Sequence, residues 1–502
     1  MVVPSFFRLS FPPVQCAAFA AAAGFYFLYH ASFPVIIAAL SVSFFVFSFF
    51  MVLSSLDRQS RDLRQISICS TALLIGLFFG MCAADAGRNE INFGIPEENV
   101  FAIEGVLLED PRVISSGSVM ASLSLRASHG ESSGASAAGI TSSLHKLRVS
   151  AGGEIIVFFP KESAGNLKNF GRGAVVFTEG NLRSTDRGKT FSAKSLHVIK
   201  NAPEIEKMRT GIRTNLINHF SEEEWGGLAL ALLLGVRDNM DTDFAALYRD
   251  AGLSYILALS GMHLAIIAAL IAFMFKRPLG LKASAVTGTV LIILYCFLVG
   301  PMPSLNRSAL MYVLGVAAIL GALPKNSMSI LSLSFILQLI LTPAAGNSLS
   351  FILSYLALLG ILIIGRDFSS LLKGMIPDFI LQPLSMSVGA FLATAGVCSF
   401  VFGIIAPVGI IAGLAIVPLT TVFMIGSMLY LVLDYISLSF ILEWPLSFIY
   451  KLMEITASAA GNVPGISANP LLILALSVLL FAFIVFIERK RQMKILKLRP
   501  FL

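Results

Sequence analysis

Apolar residues run almost unbroken at about 14 to 30, 33 to 53 and 66 to 84, then vanish as long runs for more than a hundred residues. They return near 251 to 275, 279 to 299, 306 to 323, 328 to 342, 351 to 365, 380 to 402, 409 to 433, 440 to 462 and 470 to 487. Most of these runs approach the roughly 17 to 25 residues a helix needs to cross a bilayer. The pattern predicts about twelve membrane helices, interrupted once by a large polar region. The run at 440 to 462 is the least regular, because Glu443, Lys451 and Glu454 interrupt it.

The polar region has a different rhythm. Within 88 to 204, the segments "VFAIEGVLLED", "VMASLSLRAS", "LHKLRVSAGGEIIVFF", "AVVFTEGNL" and "FSAKSLHVIK" alternate apolar and polar residues with period two, which predicts about five short strands. That number suits a small barrel of the OB type. "ASHGESSGASAAGITSS", residues 127 to 143, reads as a flexible insertion between strands. From 205 to 250 the period changes to that of helices. Phe244, Leu247, Tyr248 and Ala251 recur at i, i+3, i+4 and i+7, as in a helix lying along a membrane interface. Asp241 and Asp243 either cap that helix, where a carboxylate meets free amide groups, or hold a cation.

Composition sharpens this picture. The chain is 56% hydrophobic and 13% charged, which excludes an ordinary soluble globular protein. The fold class is therefore a polytopic α-helical membrane protein with an external, small all-β domain of OB-like barrel type. It divides into three N-terminal membrane helices (1–87), the β domain (88–204), amphipathic interfacial helices (205–250), a membrane bundle (251–487) and a basic tail (488–502). Arg8 precedes the first Ala-rich run and a second run follows at once, so that segment reads as a retained helix. Lys and Arg in "DRQSRDLR", at Lys276, Arg277, Lys282, Lys325, Arg366 and Lys373, and in the tail fall on one side of the membrane under the positive-inside rule. That rule places both termini in the cytoplasm and the β domain outside. The net charge of +7 follows from the same bias and does not by itself imply nucleic acid.

Five cysteines lie within apolar stretches without C-x-x-C spacing, so neither a disulfide framework nor a zinc site is indicated. No cofactor is called for, and no phosphate-binding loop of the G-x-x-x-x-G-K-[ST] kind occurs. In the β domain, Lys161, Lys168, Arg172, Arg183, Arg187 and Lys189 give an excess of positive charge. They suit either a phosphate backbone or a solvated barrel surface.

The chemistry to explain in the membrane lies in "YILALSGMHLAIIAAL", residues 255 to 270. On one continuous helix over 251 to 275, Ser254, Ala258, Gly261, Ala265, Ala268 and Ala272 form a small-residue stripe for close helix approach. Ser260 and His263 point the other way. A histidine is costly against lipid, so it faces protein or water. Ser260 and His263 then bond within the protein, form a nucleophilic dyad, or line a path. A dyad lacks any evident third orienting group. Arg307, beside Asn306, is expected near the outer end of its span, where it either meets a phosphate or anchors the helix in the interface. Pro407 and Pro418 bracket "VGIIAGLAIV", with Gly409 and Gly413 spaced for close packing; the segment is either a discontinuous helix or two kinks.

"LALALLLGVRDNMDTDFAALYRDAGLSYILALSGMHLAII", residues 228 to 267, resembles the signature of the ComEC competence family, membrane channels that pass single-stranded DNA into bacteria during natural transformation. "PSLNRSALMYVLGVAAILG", "SFILSYLALLGILII" and "FVFGIIAPVGIIAGLAIVPLTTV" follow in the family's order. The resemblance implies a channel without catalysis of its own, and with it Ser260 and His263 are expected to line the path and Arg307, beside Asn306, to meet a phosphate at its mouth. It implies a DNA receptor on the outer side, a cytoplasmic helicase-like ATPase and a separate nuclease as partners, besides membrane lipid and the single strand itself. Family members often carry histidine where this chain has Tyr255, and many end in a metallo-β-lactamase-like domain. The six histidines here form no H-x-H-x-D-H cluster, so the form without that domain is expected. The rival readings are a secondary transporter of a small solute, for which Asp434, Glu443 and Glu454 are the candidate coupling carboxylates, and a membrane-anchored envelope assembly factor.

Overall fold

The computed structural model describes residues 13–30, 78, 80, 91–113, 118–131, 146–160, 171–185, 188–300, 302–323, 326–467, 469–477, 479, 480, 483 and 487. Two compact units emerge, one comprising Asp85–Leu230 with Val236–Asn239, the other the remainder of the chain. The predicted spans at 33 to 53 and 66 to 84 lie outside the described residues, apart from Phe78 and Gly80.

The first unit is a barrel. Its strands are β1 (Val100–Leu107), β2 (Arg112–Val113), β3 (Val119–Glu131), β4 (Lys146–Ser150), β5 (Glu154–Phe159), β6 (Val175–Thr185), β7 (Gly188–Ala193) and β8 (His197–Lys200). The order β1-β3-β5-β7-β6 closes because β6 also pairs with β1, Ala102 lying opposite Glu179. Every pair in that ring is antiparallel except β5 with β7, where Val157 lies opposite Phe191 in parallel register. Five closed strands with one parallel pair give the OB-like barrel its topology. Ile103, Leu107, Leu123, Val157, Val176 and Phe191 fill it. The alternation was readable where a strand buries every second side chain, as β5 and the Val119–Leu125 part of β3 do, whereas β1 buries most of its residues. Residues 127–131, read as the start of the insertion, belong to β3, since Ala127–Glu131 pair with Ser150–Lys146, and the rest of that segment lies outside the described residues.

The barrel's unit continues past residue 204 to take in α2 (Glu204–Phe220). Asp110 accepts from Arg209 Nη2 at 2.6 Å and from Thr210 Oγ1 at 3.3 Å, and Arg213 Nε lies 3.4 Å from it. Arg209 also donates to Glu206 at 2.6 Å. Helix α2 is thereby held on the barrel by a buried ion cluster. The division between the two units falls within α3 (Gly226–Leu234).

The second unit is helical. It contains α1 (Pro13–His30), α4 (Thr242–Asp250), α5 (Gly261–Val299), α6 (Pro303–Leu320), α7 (Ser327–Leu341), α8 (Leu349–Leu372), α9 (Asp378–Phe402), α10 (Val408–Asp434) and α11 (Phe440–Gly461). Helices α5, α6, α8, α9 and α10 are long and apolar enough to cross a membrane. Helix α5 is two antiparallel helices in practice, because Gly280 is left-handed (φ 74°) within it. A Cβ on Gly288 would lie 3.6 Å from Ile271, whereas 17 residues of straight helix span about 25 Å. This hairpin accounts for the two predicted spans at 251 to 275 and 279 to 299.

Asp241 caps α4, its carboxylate accepting from the Asp243 amide at 2.9 Å. Of the two readings offered for these aspartates, the structure shows the cap. Helix α10 continues through Pro418, so of the two readings the discontinuous helix is not what this segment forms. The broken helix lies elsewhere, at the head of α5.

Candidate functional site

The wheel drawn over 251 to 275 assumes one continuous helix, and the structure corrects it. A single helical turn at Ser254–Leu257 ends where Ala258 becomes extended (φ −77°, ψ 128°). Ser260 is extended too (φ −128°, ψ 173°), and α5 begins at Gly261. Serine is a preferred residue ahead of a helix N-terminus, and an unbroken apolar run conceals such a break from periodicity. The small stripe from Ser254 to Ala272 therefore does not lie on one face.

Breaking a helix in a membrane frees backbone groups that must find partners. Ser304 Oγ donates to the Leu259 carbonyl at 2.6 Å. The Ser260 amide donates to His263 Nδ1 at 2.9 Å, and Ser260 Oγ lies 3.3 Å from the same nitrogen. His263 thus takes the place of the Glu or Gln that reaches back in a capping box. Because Nδ1 accepts, the neutral ring carries its proton on Nε2. That nitrogen is buried and without a partner among the described residues. His263 is fully enclosed rather than facing an open path. Among the described residues His263 makes no bond to a neighbouring helix.

Gly261 lies directly under α6. A Cβ there would sit 2.7 Å from Ser308 Oγ and 3.1 Å from Arg307 Nη2. Close approach of α6 to the first residue of α5 needs glycine at this point.

Arg307 departs from its expected place. It is 7% exposed, inside the bundle rather than at a mouth. Its Nε donates to Ser354 Oγ at 2.7 Å, Nη1 points at Met311 Sδ, 3.6 Å away, and the guanidinium lies 5.7 Å from the centre of the Tyr355 ring. No carboxylate pairs with it among the described residues. The reason is the register of α6: Pro303 starts the helix, and its second turn meets α5 and α8 rather than solvent. Asn306 beside it is half-buried.

Helices α7 and α8 complete a polar frame that sequence reasoning did not find. Tyr355 Oη donates to Gln338 Oε1 at 2.9 Å, Gln338 Nε2 donates to the Pro303 carbonyl at 3.1 Å, and Ser334 Oγ lies 3.4 Å from Tyr355 Oη. The available signal was a glutamine in the apolar run "SILSLSFILQLIL", since a membrane helix keeps such a group only with a partner.

Gly409 and Gly413 sit where α10 meets the segment before the break. A Cβ on Gly409 would be 3.0 Å from the Gly252 carbonyl, and one on Gly413 would be 2.8 Å from Tyr255 Oη. In the barrel, Arg172 and Arg183 are exposed, whereas Lys189 is ion-paired with Glu97. Lys161, Lys168 and Arg187 lie outside the described residues. No cluster of metal-ligating side chains occurs among the described residues.

A family model described as Competence protein matches residues 232–491, just over half the chain. An uncharacterized protein of Aquifex aeolicus (strain VF5) is 26% identical over 226 residues, 44% of this chain and 52% of that protein. ComE operon protein 3 of Bacillus subtilis (strain 168) is 30% identical over 134 residues, 26% of this chain and 17% of that protein. The chain thus aligns with about half the length of the first relative and a smaller part of the second.

Proposed function

Because the chain belongs to the Competence protein family, we propose that this multi-pass membrane protein is the passage by which single-stranded DNA crosses a bacterial inner membrane during natural transformation. The observation that carries the reading is Arg307. It is a buried cation without a carboxylate among the described residues, and its Nη2 lies beside the first residue of α5. A helix N-terminus is itself electropositive. The two together concentrate positive charge with no carboxylate paired to it among the described residues, which suits a passing phosphodiester. Asn306 and Ser260 add polar groups at the same end of the helices, and His263 shapes the α5 terminus rather than contacting DNA through an open face.

The finer assignments follow from the same reading. The barrel lies on the outer side and both termini in the cytoplasm. Lys161, Lys168, Arg172, Arg183 and Arg187 give the barrel a role in receiving the strand. An outer DNA receptor, a cytoplasmic helicase-like ATPase and a separate nuclease act with it. The chain itself carries out no chemistry on the DNA.

The test is internal uptake of labelled DNA in the native host, with membrane abundance matched between variants. Arg307→Met is expected to reduce cytoplasmic label at least tenfold and His263→Ala severalfold, while surface-bound DNA persists. Unchanged uptake in both would remove the channel reading and favour a transporter of small solutes.

A further inference from the structure

Helix α11 has three faces where a lipid-facing helix has two. Leu446, Tyr450, Met453 and Ala457 are buried against the bundle. Ile441, Trp444, Phe448 and Ile455 are exposed and apolar, as lipid requires. Between these faces, at about 100° per residue, Glu443, Ser447, Lys451, Glu454 and Ser458 fall in one arc about 80° wide that runs along the helix. Lys451 is exposed and the other four are half-buried. None of their side chains makes an ion pair or hydrogen bond among the described residues.

Depth makes this arrangement significant. Helix α11 returns beside α10, where a Cβ on Gly426 would touch Leu446 Cδ2 at 2.9 Å. The antiparallel register through that contact sets Lys451 level with Thr421, the middle of a helix long enough to span the membrane. At about 1.5 Å per residue, Lys451 is about 15 Å from either end of α11. A lysine stem does not snorkel that far. A charged group at such depth faces protein or water, and Lys451 has no ion-pair or hydrogen-bond partner among the described residues.

We infer that the Glu443, Ser447, Lys451, Glu454 and Ser458 stripe is a wetted wall of the single-strand passage. The inference rests on the channel reading and extends it to a helix that reading does not use. The stripe mixes signs. Lys451 attracts the phosphate backbone, and the flanking carboxylates and hydroxyls keep the strand from being held, as conduction requires.

Thiol accessibility tests this directly. In the full chain with its five native cysteines replaced by serine, each stripe residue is changed singly to cysteine, with Phe448→Cys, Ile455→Cys and Ala459→Cys as controls on the apolar face. Ser447→Cys and Ser458→Cys barely alter size, so they carry the test even where replacing a charged residue prevents folding. The protein in liposomes is treated with a membrane-impermeant cationic thiosulfonate. Stripe positions should react at least tenfold faster than controls, and prior addition of a single-stranded oligonucleotide should slow them at least threefold, with a duplex of equal length having no effect. Reaction no faster than controls would mean that protein or lipid covers the stripe and would overturn the inference. Fast reaction without protection by the single strand would overturn it as well, by making the path one for water and small ions. Either failure leaves the uptake result for Arg307→Met standing, so the two readings fall separately.

Discussion

Two arginines, one in each unit, are buried to nearly the same degree and balanced in opposite ways. Arg209, 4% exposed, lies between Asp110 and Glu206, with both contacts at 2.6 Å. Arg307, 7% exposed, has a serine hydroxyl, a thioether and the face of a tyrosine. The first arginine has its charge cancelled and serves to hold α2 on the barrel. The second keeps its charge available. Burial by itself therefore does not separate these two ions; the counter-charge does, and on the channel reading proposed above the charge of Arg307 is the one left to meet a phosphate.

The contrast can be broken most forcefully at Asp110. Asp110→Asn leaves Arg209 buried with half its compensation, and loss of one partner in such a cluster costs about 3 kcal/mol. Trp225 is fully buried in the same unit and reports its unfolding once Trp444 is replaced by phenylalanine. A denaturation midpoint unmoved by Asp110→Asn would show that the cluster does not hold the unit together.

A smaller effect is expected where α6 crosses α5. Gly261→Ala places a methyl group 2.7 Å from Ser308 Oγ, and overpacking of this kind costs about 2 kcal/mol. Uptake should fall with stability, because the shift displaces Arg307 from Gly261. Wild-type melting and uptake in this variant would mean that the helices have room to part.

The smallest expected change in stability is the most discriminating. Arg307→Met removes a buried charge with no carboxylate partner among the described residues, so stability should alter by less than about 1 kcal/mol, or rise, even as uptake falls. A large loss of stability, comparable to that in Asp110→Asn, would place Arg307 with Arg209 as a structural residue and end the comparison.

Much of this was legible in advance. Strand segments and most spans appear as periodicity, because a strand buries alternate residues and a membrane helix is apolar over a fixed length; both signals are local. The glycines at 261, 409 and 413 stood out for the same reason, as small residues in apolar runs. The break at Ala258–Ser260 did not, since every residue around it suits a continuous helix and the decisive partner, Ser304, is distant in the chain. The partners of Arg307 were also hidden. Ser354 lies 47 residues away, and the Asp110–Arg209 contact in the barrel joins residues 99 apart.

By itself, then, the order of apolar and polar residues determined a barrel inserted in a helical membrane chain, while particular motifs in its later segments carried the resemblance to the competence family. Only the tertiary structure decided that Arg307 is enclosed without a carboxylate among the described residues, that His263 caps a broken helix, and that Asp110 neutralises Arg209. The physical reason is that hydrophobic periodicity is written in neighbours along the chain, whereas the compensation of a buried charge depends on which distant side chains the fold brings within hydrogen-bond reach.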